Sequence, residues 1–406
     1  MGKNVIVGQS GGPTSVINSS LVGVLQAATS RGAAHVYGML NGVQGLLSDR
    51  YVDLSETITS TLQIELLKRT PSSYLGSCRY KLPDPEKDDT PFKLLFSLFK
   101  KLDIGYFFYI GGNDSMDTIN KLSRYAETTG SDIRMIGVPK TIDNDLVETD
   151  HTPGFGSAAK YIAATTKEII RDSLVYNQRI VTVVEIMGRN AGWLTGSVAL
   201  AKGEDCEGVD MICLPETVFN IDEFLDKVNT LQKSRRSVVI AVSEGIKIHD
   251  GRYVCELSDY ASFTDAFGHR SLSGAARYLA NSAAASLGCK TRSVELSTLQ
   301  RCAGHITSRV DITEAFQVGG AAVKAAFEGQ TRLMVALKRL SNDPYQIITE
   351  LVPVSLVANR EEKVPQGWIT HDGLGVTKEF LSYVRPLIQA ELTPFFVEGL
   401  PRHIHL

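Results

Sequence analysis

Short apolar runs alternate along this chain with longer segments in which apolar residues recur at helical spacing. Several runs carry hardly any polar side chain, as in "NVIVG" at residues 4–8 and "RMIGVP" at 134–139. Continuous apolar runs are typical of parallel strands that are covered on both faces of a sheet. The predicted strands are residues 4–8, 35–40, 105–112, 134–139, 179–188, 211–215 and 237–245.

Segments with helical periodicity lie between these strands, and the alternation predicts βαβ units in doubly wound sheets. The predicted helices are residues 15–29, 115–128, 156–174, 221–233 and 268–286. A further strand and helix follow at 291–298 and 311–329, and residues 332–353 are typical of a hairpin. The sequence therefore predicts an α/β fold with three parts: an N-terminal α/β domain at 1–150, a second α/β domain at 151–330, and C-terminal strands and a helix at 331–406 that pack back on the domains.

Composition and charge narrow the function classes. The 406 residues, 43% hydrophobic and 21% charged, are enough for two domains with substantial cores. A net charge of -3 gives no general attraction to nucleic acid or to an anionic membrane, and no stretch is apolar enough to span a bilayer. The six cysteines form no CxxC pair, which favours reduced thiols over disulfides or zinc. We expect a cytoplasmic enzyme or binding protein.

Two glycine pairs follow predicted strands, at the position where open α/β sheets bind ligands. Gly11 and Gly12, in "VGQSGGPTSVIN", would let backbone N–H groups approach an anion beside a helix start. An ordinary tight turn is the alternative. In "YIGGNDSMDT", Asn113 and Asp114 follow the second pair, which ends at Gly112. The aspartate is either a helix cap or an oxygen ligand for a magnesium ion.

The segment "IGVPKTIDNDL", residues 136–146, places charged side chains directly after an apolar strand. Asp143 and Asp145 cannot both serve one helix cap, and Lys140 lies close to them in sequence. A structural salt-bridge cluster is one interpretation. The other is phosphoryl transfer, in which a carboxylate accepts a proton from an attacking hydroxyl, oxygen ligands hold Mg²⁺ and a lysine neutralises the departing group.

A fourth motif, "EIMGRNAGW", places Gly188 and Arg189 after a strand, and the planar guanidinium suits phosphate or sugar oxygens. An exposed arginine at a helix start is the alternative. Other charged candidates, each of which alone is more often a surface residue, are Arg79, Glu244, Arg292 and Arg301. His151 and His305 are expected to be structural.

Taken together, residues 1–330 resemble the phosphofructokinase superfamily. "GGPTSVIN", "GGNDS", "PKTIDND", "MGR", "SEG" and "LQR" occur in the family's order and approximate spacing. The resemblance implies two similar doubly wound α/β domains facing an active-site cleft. It also implies phosphorylation of fructose 6-phosphate on its 1-hydroxyl with Mg²⁺, in a homodimer or homotetramer whose arginines commonly reach across a subunit interface.

The resemblance also implies roles for single residues. Asp143 matches the family's catalytic base, and Thr141 and Asp145 match its active-site neighbours. The residues that match positions around the sugar are Met187, Gly188, Arg189 and Glu244. The arginines that match ligands of its 6-phosphate are Arg292 and Arg301, and Arg79 matches an arginine near the donor phosphates.

The donor that the resemblance implies is inorganic pyrophosphate. Members that use ATP usually carry glycine at two positions where this chain has Asp114 and Lys140, whereas members that use pyrophosphate carry aspartate and lysine. Asp114 would crowd or repel a nucleotide's α-phosphate, and Lys140 would stabilise the departing phosphate. The glycines beside the donor would be Gly11, Gly12 and Gly112.

Three positions depart from the family pattern. Asn113 stands where an aspartate tied to magnesium is usual, so the metal ligands here would be Asn113 and Asp114. Thr298 stands where a sugar-phosphate histidine is common, and Arg179 lies one residue from the position of a cross-subunit arginine. The alternative functions are an ATP-dependent 6-phosphofructokinase, the same chemistry on a sugar phosphate such as sedoheptulose 7-phosphate, and a non-catalytic phosphosugar-binding sensor.

Overall fold

The computed structural model describes residues 3–257 and 272–406, and each of the seven apolar runs predicted as strands forms one. The strands are β1 (Asn4–Gln9), β2 (Val36–Met39), β3 (Tyr51–Asp53), β4 (Ile104–Gly111), β5 (Arg134–Pro139), β6 (Ile180–Ile186), β7 (Met211–Cys213), β8 (Ser237–Ser243), β9 (Lys290–Glu295), β10 (Leu333–Asn342), β11 (Tyr345–Pro353), β12 (Phe396–Val397) and β13 (Leu400–Pro401). The hairpin predicted at 332–353 is confirmed as β10 and β11.

The helices also follow the predicted order, and further helices, among them a 12-residue helix at Thr90–Lys101, form where none was predicted. They are α1 (Ile17–Ser30), α2 (Gly42–Leu46), α3 (Leu54–Thr57), α4 (Thr61–Arg69), α5 (Thr90–Lys101), α6 (Asn113–Thr128), α7 (Phe155–Ser173), α8 (Trp193–Ser197), α9 (Ile221–Leu231), α10 (Ala275–Leu287), α11 (Leu299–Cys302), α12 (Arg309–Phe327), α13 (Val354–Val357) and α14 (Lys378–Val384). Residues 268–271 of the helix predicted at 268–286 lie outside the described residues, and α10 begins later than predicted, at Ala275. No helix in the described ranges is both long and apolar enough to cross a membrane.

Internal contacts divide the chain into two compact units. The first comprises Met1–Ser157, Arg301–Glu361 and Gln389–Leu406, and the second comprises Ala158–Gln300 and Glu362–Ile388. These units differ from the predicted division at 150 and 330. The predicted second domain included α12, which instead packs on α1 and β5 in the first unit because the chain returns there at Arg301.

The first unit is built on a seven-stranded sheet with the order β11-β10-β5-β4-β1-β2-β3. The inner strands from β10 to β2 are parallel, and the edge strands β11 and β3 are antiparallel to their neighbours. Val5 and Val7 pack with α1 and α12 on one face, and Ile6 packs with α5 and α6 on the other. The strand order reverses at β1, so the carboxyl ends of β1 and β4 form a topological switch point where such sheets bind ligands.

Two glycines let the backbones of α1 and α12 pack directly against each other. A Cβ at Gly319 would lie 2.2 Å from the carbonyl oxygen of Ser20, and one at Gly23 would lie 2.2 Å from that of Phe316. A Cβ at the neighbouring Gly320 would instead find its nearest atoms at 4.0 Å. The close crossing of these helices therefore depends on Gly23 and Gly319.

Replacing Gly319 with alanine is expected to lower the free energy of unfolding by about 1–3 kcal/mol, because two backbones must separate to admit the methyl group. Gly320→Ala is the matched control in the same helix. It is expected to be neutral or to stabilise by up to about 1 kcal/mol, since alanine is the better helix former. Urea unfolding of the two variants measures the difference, and equal stability would contradict a tight crossing at Gly319.

The second unit contains a four-stranded parallel sheet with the order β7-β8-β6-β9. Val238 and Ile240 of β8 pack with Phe224 of α9 and Leu279 of α10. Strands β6 and β8 are neighbours with Ile186 paired to Ser243, so the segments that follow them leave the same edge of the sheet.

Candidate active site

Three loops of the first unit leave the sheet at one edge. Ser10, after β1, donates its backbone N–H to the carbonyl oxygen of Ile110 on β4 at 3.0 Å. Lys140, after β5, donates its backbone N–H to the carbonyl oxygen of Gly111 at 3.1 Å. The two glycine pairs and the charged segment predicted from the sequence are therefore brought together at the switch point.

Lys140 lies directly against the first glycine pair. Its side chain is buried, and its ammonium donates a hydrogen bond of 2.6 Å to the carbonyl oxygen of Gly12. A Cβ at Gly11, which has a φ of +77°, would lie 3.2 Å from the Lys140 Nζ atom. A side chain at position 11 would thus strain the backbone and press on the ammonium, so glycine is needed there.

Burial lowers the pKa of the Lys140 ammonium to about 8, and the positive charges of Arg301 and Arg79 act in the same direction. The carboxylates of Asp143 and Asp145 oppose this shift. A cation that is desolvated beside other cations gains stability when an anion binds next to it. The arrangement therefore suits a phosphate ligand at the glycine pair.

Asp143 and Asp145 both have raised pKa values. Burial raises the pKa of Asp145 to about 8, and the negative charges of Asp143 and Glu361 add to the shift. Burial also raises the pKa of Asp143, although Lys140 and the hydroxyl of Thr141 oppose this change. Carboxyl groups with raised pKa values are suited to general acid–base chemistry.

Thr141 and the turn after it orient Asp143. The Thr141 hydroxyl accepts the backbone N–H of Asp143 at 3.1 Å and donates to its Oδ2 atom at 3.3 Å. Asn144 has a φ of +55°, which turns the chain between the two aspartates. Its Oδ1 atom accepts the backbone N–H of Thr152 at 3.0 Å, and the Thr152 hydroxyl donates to the carbonyl oxygen of Thr141 at 2.8 Å.

The second glycine pair places Asn113 and Asp114 in the first turn of α6. A Cβ at Gly112 would lie 3.5 Å from the carbonyl oxygen of Lys140, so this helix start adjoins the charged segment. Asp114 is exposed, and its charge is favourable at a helix N-terminus. The Oδ1 atom of Asn113 is buried and accepts no hydrogen bond from the described residues.

That orphaned oxygen fits a divalent cation, because a buried amide oxygen without a donor is destabilising unless a ligand satisfies it. Within residues 3–257 and 272–406, the group of three His, Cys, Asp or Glu side chains able to share an ion lies elsewhere, at His35, Asp53 and Glu56. A cation at the switch point would therefore have few protein ligands and would be held largely by substrate phosphates, as is usual for Mg²⁺.

In the second unit, the segments after β6 and β8 meet as their strand pairing requires. The backbone N–H of Gly188, whose φ is +131°, donates to Glu244 Oε1 at 3.3 Å. A Cβ at Gly245 would lie 1.9 Å from the carbonyl oxygen of Arg189, so glycine is needed for this approach. The predicted residues Met187, Gly188, Arg189 and Glu244 are thus brought together.

The predicted arginines are divided between the units. Arg292, on β9 of the second unit, pairs with Asp172 and lies over the ring of Tyr176 at 5.2 Å. Arg301 belongs to the first unit, where its Nη1 atom lies 3.4 Å from the position that a Cβ of Gly12 would take. A joint role of Arg292 and Arg301 in holding one phosphate stays a prediction.

Sequence reasoning missed four residues that support the site. Asn144 and Thr152 close the turn around Asp143, Glu361 adds negative charge near Asp145, and Gln300 accepts the backbone N–H of Met187 at 3.2 Å. The asparagine between two aspartates was a usable signal, because asparagine tolerates a positive φ. No comparable signal marks Gln300 or Glu361.

The chain is similar to known proteins of one family. The profile of the family described as phosphofructokinase matches residues 4–326. A pyrophosphate–fructose 6-phosphate 1-phosphotransferase of Halomonas elongata is 41% identical over 403 residues, covering 98% of this chain and 95% of the relative. The enzyme of the same name from Methylococcus capsulatus is 40% identical over 408 residues, covering 100% and 96%. The crystal structure of a pyrophosphate-dependent phosphofructokinase from Nitrosospira multiformis is 38% identical, with a TM-score of 0.89 and coverage of 99% and 96%.

Proposed function

The chain belongs to the phosphofructokinase family, and we propose that it transfers a phosphoryl group reversibly from inorganic pyrophosphate to the 1-hydroxyl of fructose 6-phosphate. The products are fructose 1,6-bisphosphate and phosphate. The observation that carries this proposal is the buried Lys140 ammonium, held 2.6 Å from the Gly12 carbonyl oxygen beside Asp143. Relatives that match nearly the whole chain are named for this activity.

Asp143 is the general base in the proposed reaction. It accepts the proton of the sugar's 1-hydroxyl, and the hydroxyl oxygen forms a bond to the nearer phosphorus of pyrophosphate. The bond from that phosphorus to the bridging oxygen breaks, and the electron pair leaves with inorganic phosphate. The raised pKa of Asp143 helps it to hold the proton until the product departs. Thr141 orients the Asp143 carboxylate, whose negative charge in turn raises the pKa of Asp145.

Lys140 acts on the leaving group. Its ammonium faces the first glycine pair, where the departing phosphate would gain negative charge as the bridging bond breaks. Arg79, whose positive charge helps to lower the pKa of Lys140, would also contact the donor phosphates. The exposed carboxylate of Asp114 at the second glycine pair would repel a further phosphate, which disfavours a nucleotide donor.

The family generally uses a divalent metal, and we propose that the metal here is Mg²⁺, held by Asn113 and Asp114 together with the donor's phosphate oxygens. When bound, Mg²⁺ neutralises negative charge on the transferring and departing phosphate groups. Asn113 would contribute its buried amide oxygen and Asp114 a carboxylate oxygen.

We propose that the sugar phosphate binds through the residues that the resemblance assigned to it. Gly188, Arg189 and Glu244, which the second unit brings together, would contact sugar hydroxyls, with Met187 beside them. Arg292 and Arg301 would bind the 6-phosphate, since guanidinium groups match phosphate oxygens in pairs. We also propose a cytoplasmic homodimer or homotetramer, which size-exclusion chromatography with light scattering would test.

The test of the proposed function is the formation of fructose 1,6-bisphosphate from fructose 6-phosphate and Mg²⁺, with pyrophosphate or ATP supplied separately. We expect product with pyrophosphate and at most a trace with ATP. The reverse reaction, from fructose 1,6-bisphosphate and phosphate, is expected to yield pyrophosphate. Activity with ATP alone would overturn the donor assignment while leaving the family in place. A parallel assay with sedoheptulose 7-phosphate tests the acceptor.

A further inference from the structure

His151 is the centre of a buried charged network in the first unit. Its side chain is only 1% exposed, and it lies between two carboxylates: Nδ1 is 2.7 Å from Asp150 and Nε2 is 2.6 Å from Glu314. Arg339 of β10 binds the same Asp150 oxygen at 2.7 Å, and the hydroxyl of Tyr345 on β11 donates to Glu314 at 2.7 Å. The network therefore joins four parts of the chain: the loop after β5, α12, β10 and β11.

The two contacts of the imidazole define its protonation. A neutral imidazole has one N–H, so it can donate to one carboxylate while its other nitrogen presents a lone pair to the second. Both neighbours of His151 are carboxyl groups at short distance, and two ionised carboxylates can both accept from the ring only when each ring nitrogen carries an N–H. The charges of His151 and Arg339 then balance those of Asp150 and Glu314. Although burial opposes the charged form, the Glu314 and Asp150 carboxylates raise the pKa of His151 to about 9.

His151 adjoins the residues that close the turn around Asp143. Thr152 and Pro153 bind the turn directly, since the Thr141 backbone N–H donates to the carbonyl oxygen of Pro153 at 3.3 Å. Gly154 is fixed in turn to α12, where Asp311 accepts its backbone N–H at 2.8 Å. The position of the turn therefore depends on how the segment 150–154 is held against α12.

We propose that His151 is a positioning residue for the phosphoryl transfer: its buried imidazolium fixes the loop that carries Asp143 to α12 and to the β10–β11 hairpin. This inference rests on the proposed function for its kinetic consequence. Losing the imidazolium would leave two like charges, Asp150 and Glu314, facing each other across the loop. The loop would relax away from α12, and Asp143 would move relative to the sugar hydroxyl.

The first experiment is His151→Gln, assayed with pyrophosphate, fructose 6-phosphate and Mg²⁺. The expected result is a fall in kcat of about 10- to 100-fold, because a small displacement of the base is enough for such a loss. KM for both substrates should stay within about threefold, since no binding group is removed. His371→Gln, at an exposed histidine of the second unit, is the matched control and should leave both constants unchanged.

The second experiment begins with the wild-type protein, so its first result does not depend on a folded variant. Nitrogen-15 NMR of the histidine rings in the wild-type protein at pH 8 should show protons on both nitrogens of one buried ring. In Glu314→Gln that ring should lose a proton at a lower pH than in the wild type. The fall of kcat with rising pH should begin at a correspondingly lower pH. A single ring proton on His151 in the wild-type protein would overturn the inference. Full kcat in His151→Gln would overturn it as well.

The two proposals fail separately. If the wild-type protein forms no bisphosphate with pyrophosphate, the proposed function is wrong. The NMR result then still decides the protonation of His151, and the comparison of kcat is made with the donor that the wild type accepts.

Discussion

Asp143→Ala is expected to lower kcat by about 10²- to 10⁴-fold while fructose 6-phosphate still binds with nearly wild-type affinity. A general base contributes in this range, because without it the hydroxyl must lose its proton to water. The carboxylate acts mainly in the transition state, so its removal should affect kcat much more than binding. Steady-state kinetics and calorimetric titration with fructose 6-phosphate measure the two effects.

The control for this variant is Asp226→Ala, which removes an exposed aspartate from α9 of the second unit. It should have wild-type kinetics. Asp143→Ala with undiminished kcat would exclude Asp143 as the base. A loss of sugar binding equal to the loss of kcat would instead make Asp143 a binding residue and would favour the phosphosugar sensor.

Lys140→Gly is expected to reduce kcat/KM for pyrophosphate by about 10²- to 10³-fold, the usual effect of removing one donor that stabilises developing negative charge. Lys140→Met separates charge from volume, since methionine fills much of the buried space without the ammonium. Both variants should show a similar loss if the charge is what matters. Lys87→Ala, at an exposed lysine, is the control and should have no effect.

An unchanged kcat/KM for pyrophosphate in Lys140→Met would rule out the proposed role. If only Lys140→Gly lost activity, Lys140 would act by packing on the glycine pair. A gain of ATP-dependent activity in Lys140→Gly is not required, because Asp114 would still repel a nucleotide's extra phosphate.

The pH dependence of pyrophosphate binding gives an independent check on Lys140. Because burial lowers its pKa to about 8, the free enzyme loses this positive charge as the pH rises through that value. KM for pyrophosphate should therefore rise above about pH 8 in the wild type, and this rise should be smaller in Lys140→Met. Asp145 has a pKa of about 8 as well, so only the difference between the two profiles reports on the lysine.

The strands and the cluster of residues at the switch point were predictable from local signals. Parallel strands buried on both faces have nearly continuous apolar sequences, and polar residues that follow them must lie at the carboxyl edge of the sheet. This reasoning located the glycine pairs, Lys140 and Asp143, which the structure does bring together. The contact of Lys140 with Gly12 was not predictable in detail, because it joins residues 128 apart in sequence.

The sequence did not predict which strands and helices belong to each unit, for a related reason. Strand β10 pairs with β5, and α12 packs on α1, yet nothing in the sequence of these elements specifies partners that far away. The predicted boundary at 330 followed the order of the chain, whereas the chain re-enters the first unit at Arg301. His151 was expected to be structural. The sequence did not indicate that the carboxylates of Asp150 and Glu314 would both contact its imidazole.

The return of the chain to the first unit has a consequence for protein synthesis. Strand β5 acquires its parallel neighbour β10 only after residues 333–342 have left the ribosome, so its outer edge stays unpaired while residues 158–300 of the second unit are being translated. Unpaired strand edges invite association between nascent chains. Truncations that end between Gln300 and Arg332 are therefore expected to aggregate or to need chaperones, although they contain every strand of the second unit's sheet and four of the five strands of the first unit's parallel ladder.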